Sequence, residues 1–168
     1  MKTRDLVQVA LFIAIVFVAT AFLRIPSPAA TGAGQVHTGT AVVFVISAVF
    51  GPKKGAISSL GMVLFNITFG LGMWAPINLV TRPVLALIFG RIANYGGVGG
   101  KNIWLNILAA VAGGAWLIPS MYIGEVLVFR LHWAAPQIGI PGNVMQIVLA
   151  LALGLPMIKL IHRYRLGG

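Results

Sequence analysis

The stretch NLVTRPVLAL, residues 78–87, places Arg82 and Pro83 in the middle of a largely apolar run. If this run crosses a lipid bilayer, burial of a guanidinium is costly, and the arginine must face a bundle interior or a polar cavity. The meaning of Arg82 therefore depends on whether the whole chain is a membrane protein.

The composition of the chain is that of a membrane protein. Of its 168 residues, 59% are hydrophobic and only 8% are charged, whereas soluble domains carry about 25% charged residues. The net charge of +10 comes from short clusters of Lys and Arg between apolar blocks. These clusters lack the interleaved aromatic residues of a nucleic-acid surface, so we expect no nucleic-acid partner. The chain has no cysteine, which excludes disulfides and a cysteine-based metal site.

Six apolar segments approach the roughly 20 residues that a spanning helix needs. We therefore predict an all-α integral membrane protein, a single domain over residues 1–168 built as one bundle of six transmembrane helices. The second segment is short, so we expect it to borrow length from its flanks or to lie inside the bundle. In the fifth, Gly113, Gly114 and Pro119 favour a kink. The predicted spans are residues 6–23, 36–50, 56–72, 74–93, 103–129 and 144–161.

Basic residues are distributed unevenly between the two sides of this predicted bundle. The side opposite the amino terminus receives only Arg24 and Arg130. By the positive-inside rule, the richer side is cytosolic, so both termini are predicted to lie in the cytosol. That side collects nine basic residues: Lys2, Arg4, Lys53, Lys54, Arg91, Lys101, Lys159, Arg163 and Arg165.

Residues for catalysis or metal binding are scarce. The only carboxylate side chains are Asp5 and Glu125, too far apart in the predicted bundle for a paired mechanism. His37, His132 and His162 have no spacing that would bring two of them onto one metal. No phosphate-cradling Gly-Lys-Ser/Thr motif is present, so the chain itself is not predicted to be an ATPase. We expect no catalytic residues, no metal and no cofactor.

Polar and aromatic residues gather instead in the outer halves of the predicted spans. Arg82 lies eight residues inward from Trp74, which is roughly 12 Å at the helical rise. Trp74, Asn78 and Arg82 share one helix face. One cation, one acid, several amides and several aromatics suit a small polar molecule with a ring or a carboxylate. The predicted substrate-binding residues are His37, Asn66, Trp74, Asn78, Arg82, Trp116, Tyr122, Glu125, Asn143 and Gln146.

Structural roles compete with ligand contact at several of these positions. Arg82 could pair with Glu125 inside the bundle. Asn66 and Asn78 could form interhelical hydrogen bonds, Trp74 could be an interfacial residue, and His37 could cap a helix. In the first span, Ala10 and Ala14 have the small-xxx-small spacing that allows another helix to approach closely.

Three stretches resemble the substrate-binding membrane subunit, the S component, of energy-coupling factor (ECF) transporters, a branch of ABC importers for vitamins. They are ALFIA at residues 10–14, VHTGTAVVFVISAVFGPKKGAISSLG at 36–61 and FNITFGLGMWAPINLVTRPVLALIFGRIA at 65–93. The resemblance implies a six-helix bundle in a prokaryotic plasma membrane that binds a vitamin from outside. It also implies that Ala10 and Ala14 contact a transmembrane coupling (T) subunit joined to two cytosolic ABC ATPases.

The chain departs from its close relatives at three positions that we expect in the pocket. Asn66 often corresponds to an acid, Arg82 to lysine and Thr38 to leucine. A more cationic site favours a carboxylate ligand such as pantothenate, while hydroxymethylpyrimidine and pyridoxine-like vitamins stay open. Two other readings stay open. One is a small integral-membrane enzyme acting on a lipid-linked substrate, which would need acids or histidines at the cytosolic or interfacial level, where this chain has almost none. The other is a purely structural scaffold.

Overall fold

The computed structural model describes residues 3–25 and 35–165. In this part of the chain, α helices dominate and one short antiparallel sheet pairs Arg24 with His37. Turns of 3-10 helix at Gly72–Trp74, Tyr95–Gly97 and Ala135–Gly139 join some of the elements. In chain order the elements are α1 (Thr3–Phe22), β1 (Arg24–Ile25), β2 (Val36–His37), α2 (Gly39–Phe50), α3 (Pro52–Ser58), α4 (Leu60–Thr68), α5 (Ala75–Ala93), α6 (Ile103–Phe129) and α7 (Ile140–Arg165).

Four stretches are long and apolar enough to cross a membrane: Thr3–Phe22, Gly72–Ala93, Ile103–Phe129 and Ala135–Tyr164. They correspond to the first, fourth, fifth and sixth predicted spans. The second predicted span has only 12 helical residues, and the third is divided into α3 and α4. The described structure therefore supports four of the six predicted spans at full length.

The short helix α2 lies inside the bundle, as its length suggested. Nine of its 12 residues are buried, and the ring of Phe44 stacks on Phe89 of α5 with centroids 3.9 Å apart. Twelve residues extend only about 18 Å, too little for an independent span. Because neighbouring helices surround α2, lipid thickness does not set its length.

The break between α3 and α4 follows from two consecutive serines. The hydroxyl of Ser58 donates to the carbonyl of Gly55 and that of Ser59 to the carbonyl of Ala56. Serine hydroxyls that bond to nearby carbonyls compete with the helical ladder, and Met62 N donates to the Ser59 carbonyl three residues back. Just beyond the break, a Cβ on Gly61 would lie 2.4 Å from the Ile13 carbonyl oxygen, so glycine permits α4 to pack on α1.

Helix α6 continues through the position where the sequence favours a kink. It is helical from Ile103 to Phe129, with Pro119 inside it. The Asn102 side chain caps its start by accepting from the backbone N–H of Trp104 and Leu105. A Cβ on Gly113 would lie 2.7 Å from Leu85 Cδ1. This glycine therefore serves close packing of α6 against α5.

Both ends of the chain that the structure describes lie at the same end of the bundle. Lys54 Nζ is 3.0 Å from Asp5 Oδ1, which joins the start of α3 to the start of α1. The His162 ring donates to the Gly99 carbonyl at 2.6 Å, which joins the end of α7 to the connection after α5. We call this the basic end, because the basic clusters of the sequence gather there.

Candidate substrate-binding site

At the end of the bundle opposite the basic end, polar and aromatic side chains from distant parts of the chain surround a small cavity. Its volume is about 40 Å³, which is room for one or two water molecules. It lies between β2, α4, α5, α6 and α7. The lining residues are Gln35, His37, Phe65, Asn66, Leu71, Trp74, Asn78, Arg82, Met121 and Asn143.

Arg82 is the cation of this site and is buried, with 4% of its surface exposed. Its Nε donates to Asn78 Oδ1 at 2.9 Å, one turn earlier on α5. Its terminal nitrogens donate to Thr40 Oγ1 at 3.2 Å and to Gln146 Oε1 at 3.3 Å. All three acceptors are neutral, and the ion pair with Glu125 considered from the sequence is not formed. The buried positive charge therefore has no carboxylate partner within the described chain.

Gln146 connects the arginine to the rest of the site. Its Nε2 donates to Thr40 Oγ1 at 2.9 Å and to His37 Nε2 at 2.8 Å, while its Oε1 accepts from Arg82. One amide thus ties together α2, α5, α7 and the strand before α2. These bonds hold the guanidinium in one orientation, which favours directional recognition of a ligand.

Donors are among the unused hydrogen-bonding groups of the lining. Asn66 is buried, and its Nδ2 has no hydrogen-bond partner among the described residues. A guanidinium has five N–H groups, and the bonds of Arg82 occupy three, leaving one on each terminal nitrogen. A ligand that satisfies these groups must offer acceptor atoms, and the uncompensated charge of Arg82 favours an anionic acceptor.

Aromatic rings complete the wall. Trp74 packs edge-on against Phe129 at 4.8 Å, and the guanidinium of Arg24 lies 5.3 Å from the Phe65 ring centroid. Because Trp74 and Phe65 both line the cavity, they place aromatic surface next to a bound ligand.

The structure brings most of the predicted site residues together. His37, Asn66, Trp74, Asn78, Arg82 and Asn143 line the cavity, and Gln146 reaches it through Arg82 and His37. The role considered for His37 as a helix cap is not seen, because the residue at the start of α2 is Thr38. Asn78 bonds within its own helix, so it does not form the interhelical hydrogen bond considered from the sequence.

Four other residues expected in or around the site lie elsewhere. Trp116 donates from Nε1 to the Thr81 carbonyl at 3.1 Å, and the Tyr122 hydroxyl bonds to the Trp133 carbonyl at the surface. Glu125 is buried in α6, but it is not among the cavity-lining residues, and its Oε2 has no partner in the part of the chain that the structure describes. The expectation that Thr38 lies in the pocket was wrong, because its hydroxyl donates to the Ala19 carbonyl.

Sequence reasoning missed Gln35, Phe65, Leu71 and Met121 as lining residues. Phe65 precedes the predicted site residue Asn66, and Gln35 precedes the predicted second span. Their closeness in the sequence to predicted parts of the site was the signal that could have indicated them. Leu71 and Met121 offered none, because an apolar wall residue has the same sequence pattern as a core residue.

The other predicted interaction site lies on α1. Ala10 and Ala14 are both exposed, one turn apart on one face of the helix. They are therefore open to contact from outside the chain, and they lie nearer the basic end than the cavity does.

Comparison with known proteins agrees with the resemblance seen in the sequence. A family model described as "ECF-type riboflavin transporter, S component" matches residues 1–163. No curated protein sequence matches the chain. The solved structure titled "Structure and mechanism of the S component of a bacterial ECF transporter" has the same fold, with a TM-score of 0.78, 15% identity and coverage of 98% of each chain.

The family model spans nearly the whole chain, so the S-component resemblance is confirmed. The family consists of transport subunits rather than enzymes, and the reading as a membrane enzyme has no support. The four long apolar helices agree with a protein that crosses the membrane several times. The chain therefore belongs to the family of ECF-type S components, the substrate-binding membrane subunits of a class of transporters.

Proposed function

We propose that this chain captures a water-soluble vitamin or vitamin precursor outside a prokaryotic plasma membrane and delivers it inward as the S component of an ECF-type importer. It carries no catalysis of its own. A transmembrane coupling (T) subunit joins it to two cytosolic ABC ATPases, which hydrolyse the ATP. Family membership and the polar cavity support this proposal.

One observation carries the substrate assignment: within the described residues, the cavity presents unused donors and a guanidinium without a carboxylate partner. Arginine binds carboxylates through two parallel N–H groups. A carboxylate-bearing vitamin such as pantothenate would provide the missing negative charge and accept from both terminal nitrogens. Asn66 Nδ2 would donate to a further ligand oxygen.

In the described structure the cavity is small. Pockets for small molecules usually measure about 300–1,000 Å³, whereas this cavity measures about 40 Å³. Substrate entry must therefore move wall residues apart. Leu71 precedes the turn Gly72–Trp74 and Trp74 ends it. Both residues line the cavity, so we expect binding to alter the surroundings of the Trp74 indole.

Riboflavin is the second candidate, because the family description names it. A flavin ring has carbonyl oxygens that could accept from Arg82 and Asn66, and its plane could pack against Phe65 and Trp74. It would require a larger expansion of the cavity than pantothenate. Hydroxymethylpyrimidine and pyridoxine-like vitamins are smaller ring candidates with acceptor atoms.

The ligand can be identified from protein that is purified in mild detergent. Denaturant then releases the bound small molecule, which is identified by mass spectrometry. Calorimetric titration with pantothenate, riboflavin, hydroxymethylpyrimidine and pyridoxine then ranks the affinities. We expect pantothenate to bind most tightly and to change tryptophan fluorescence. A yellow protein with bound flavin would contradict the carboxylate assignment and leave the transport role intact, whereas absence of any bound vitamin would contradict both.

The direction of capture is tested by cysteine labelling, since the native chain has no cysteine. Lys53 and Gln137 are exposed in the described structure. In intact cells, an impermeant thiol reagent should label Gln137→Cys and leave Lys53→Cys unlabelled. The reverse pattern would place the cavity on the cytosolic side and contradict uptake from outside.

A further inference from the structure

A second and larger cavity lies at the basic end, between the start of α6 and the last turns of α7. Its volume is about 680 Å³. Among the described residues, it shares no lining residue with the substrate cavity. We call it the basic groove; its lining residues are Gly100, Lys101, Ile103, Asn106, Leu155, Pro156, Ile158, Lys159 and His162.

The basic groove carries positive charge that no carboxylate side chain of the described residues balances. Lys101 and Lys159 line it and are both exposed. The sequence contains only two carboxylate side chains. Asp5 is bonded to Lys54, and Glu125 lies near the far end of α6. The groove is therefore suited to an anion from outside the chain.

A buried acceptor lies among these cations. Asn106 is 2% exposed, and its Nδ2 donates to the Gly100 carbonyl at 2.7 Å. Its Oδ1 has no partner within the described residues, although it belongs to a side chain that lines the groove. A buried carbonyl oxygen without a donor is unfavourable. The ligand should therefore also carry a hydrogen-bond donor.

The remaining lining and the surroundings are those of a membrane interface. Ile103, Leu155 and Ile158 give the groove an apolar wall. Trp104 and Tyr164, beside this wall in the sequence, are among the most exposed large side chains, at 75% and 76%. Exposed Trp and Tyr are enriched at the depth of lipid headgroups. These features favour a position of the groove at the depth of the headgroups and the first acyl carbons.

We propose that the basic groove binds one anionic phospholipid with a hydroxyl-bearing headgroup, of which phosphatidylglycerol is the simplest. Lys101 and Lys159 bind the phosphate, a headgroup hydroxyl donates to Asn106 Oδ1, and an acyl chain lies along Ile103 and Leu155. A zwitterionic lipid such as phosphatidylethanolamine is disfavoured, because its ammonium group meets two lysines. This lipid site is independent of the vitamin proposed for the other end.

Native mass spectrometry of the full chain in detergent tests this site with defined lipids at equal concentration. We expect phosphatidylglycerol to bind at least tenfold more tightly than phosphatidylethanolamine and several-fold more tightly than phosphatidic acid, which lacks the headgroup hydroxyls. The double variant Lys101→Gln/Lys159→Gln should lose this preference. The control Lys53→Gln/Arg91→Gln removes two exposed charges from the same end, outside the groove, and should keep it.

Competition with soluble anions separates a lipid site from a phosphate site. Millimolar inorganic phosphate or glycerol phosphate should not displace phosphatidylglycerol, because neither has an acyl chain for the apolar wall. Displacement by either would overturn the lipid assignment in favour of a soluble phosphate ligand. Equal loss of lipid in the groove variant and the control, with both variants melting like the native protein, would overturn the site itself.

Discussion

Arg82 and Gln146 are 64 residues apart in the sequence and are joined by a hydrogen bond of 3.3 Å from Nη2 of the arginine to Oε1 of the glutamine. The bond connects α5 to α7 at the depth of the cavity. Through Gln146, the guanidinium is also tied to His37 and Thr40. The cation is thereby oriented by neutral groups while its charge stays available to a ligand.

Replacement of Arg82 tests this role directly. Arg82→Ala should weaken vitamin binding by 2–5 kcal/mol, about 30-fold to several thousand-fold, because a desolvated ligand charge loses its partner. Arg82→Lys should lose less, since the charge remains while the two-pronged geometry is lost. Calorimetric affinities of both variants in one detergent give the comparison, and an unchanged affinity in Arg82→Ala would exclude ligand contact.

The separation of Arg82 from Glu125 predicts additivity. Because no ion pair joins them, Glu125→Gln should not restore the affinity or the melting temperature that Arg82→Ala loses. The free-energy changes caused by substitutions at sites without shared partners usually add within about 0.5 kcal/mol. Thermal unfolding and ligand titration of the two single variants and the double variant complete the cycle. Recovery of both quantities in the double variant would show that the two residues do pair.

Asn66 offers a case in which affinity and stability should change in different directions. Asn66→Leu removes the unpartnered Nδ2, so the free energy of unfolding should stay equal or rise, while vitamin affinity should fall about tenfold through the lost ligand hydrogen bond. Asn106→Leu is the matched control. It removes a buried amide that bonds to Gly100, so it should lower stability without changing vitamin affinity. A parallel fall of both quantities in Asn66→Leu would indicate a structural role.

The exposed face of α1 predicts a variant that binds substrate but does not transport it. Ala10→Trp or Ala14→Trp should prevent close approach of the coupling subunit. Assembly and uptake should therefore fall, while the isolated protein keeps its vitamin affinity. Ile15 is exposed on the same helix, about 100° around the axis from Ala14, so Ile15→Trp is the control. Co-purification of the partner subunits and uptake assays measure the effect, and equal assembly in all three variants would remove the alanines from the interface.

Packing of α4 on α1 predicts a stability change that is independent of function. Gly61→Ala places a Cβ 2.4 Å from the Ile13 carbonyl oxygen and 2.8 Å from Phe17 N, so it should destabilise the fold by about 1–3 kcal/mol. Gly72→Ala is the control, because a Cβ there meets no atom within 4 Å. Melting temperatures should fall for the first and stay near the native value for the second. Equal melting temperatures would show that α1 and α4 can move apart without loss of stability.

The sequence by itself determined the class of the protein, four of its long helices, the gathering of basic clusters at one end and the inward position of Arg82. These follow from properties that are local along the chain. Runs of apolar residues mark the helices, and a charge inside such a run has to face away from lipid. The periodicity of α5 also placed Trp74, Asn78 and Arg82 on one face, and all three line the cavity.

Only the tertiary structure decided which residues of different helices meet. Sequence depth placed Trp116, Tyr122 and Glu125 at a level similar to that of Arg82, yet the rotation of α6 about its axis directs other residues, such as Met121, to the cavity. The acceptors of Arg82 on α2 and α7, and the basic groove between α6 and α7, likewise depend on how distant helices pack. Periodicity defines the faces of one helix, whereas the neighbour that each face meets is set by packing across the whole bundle.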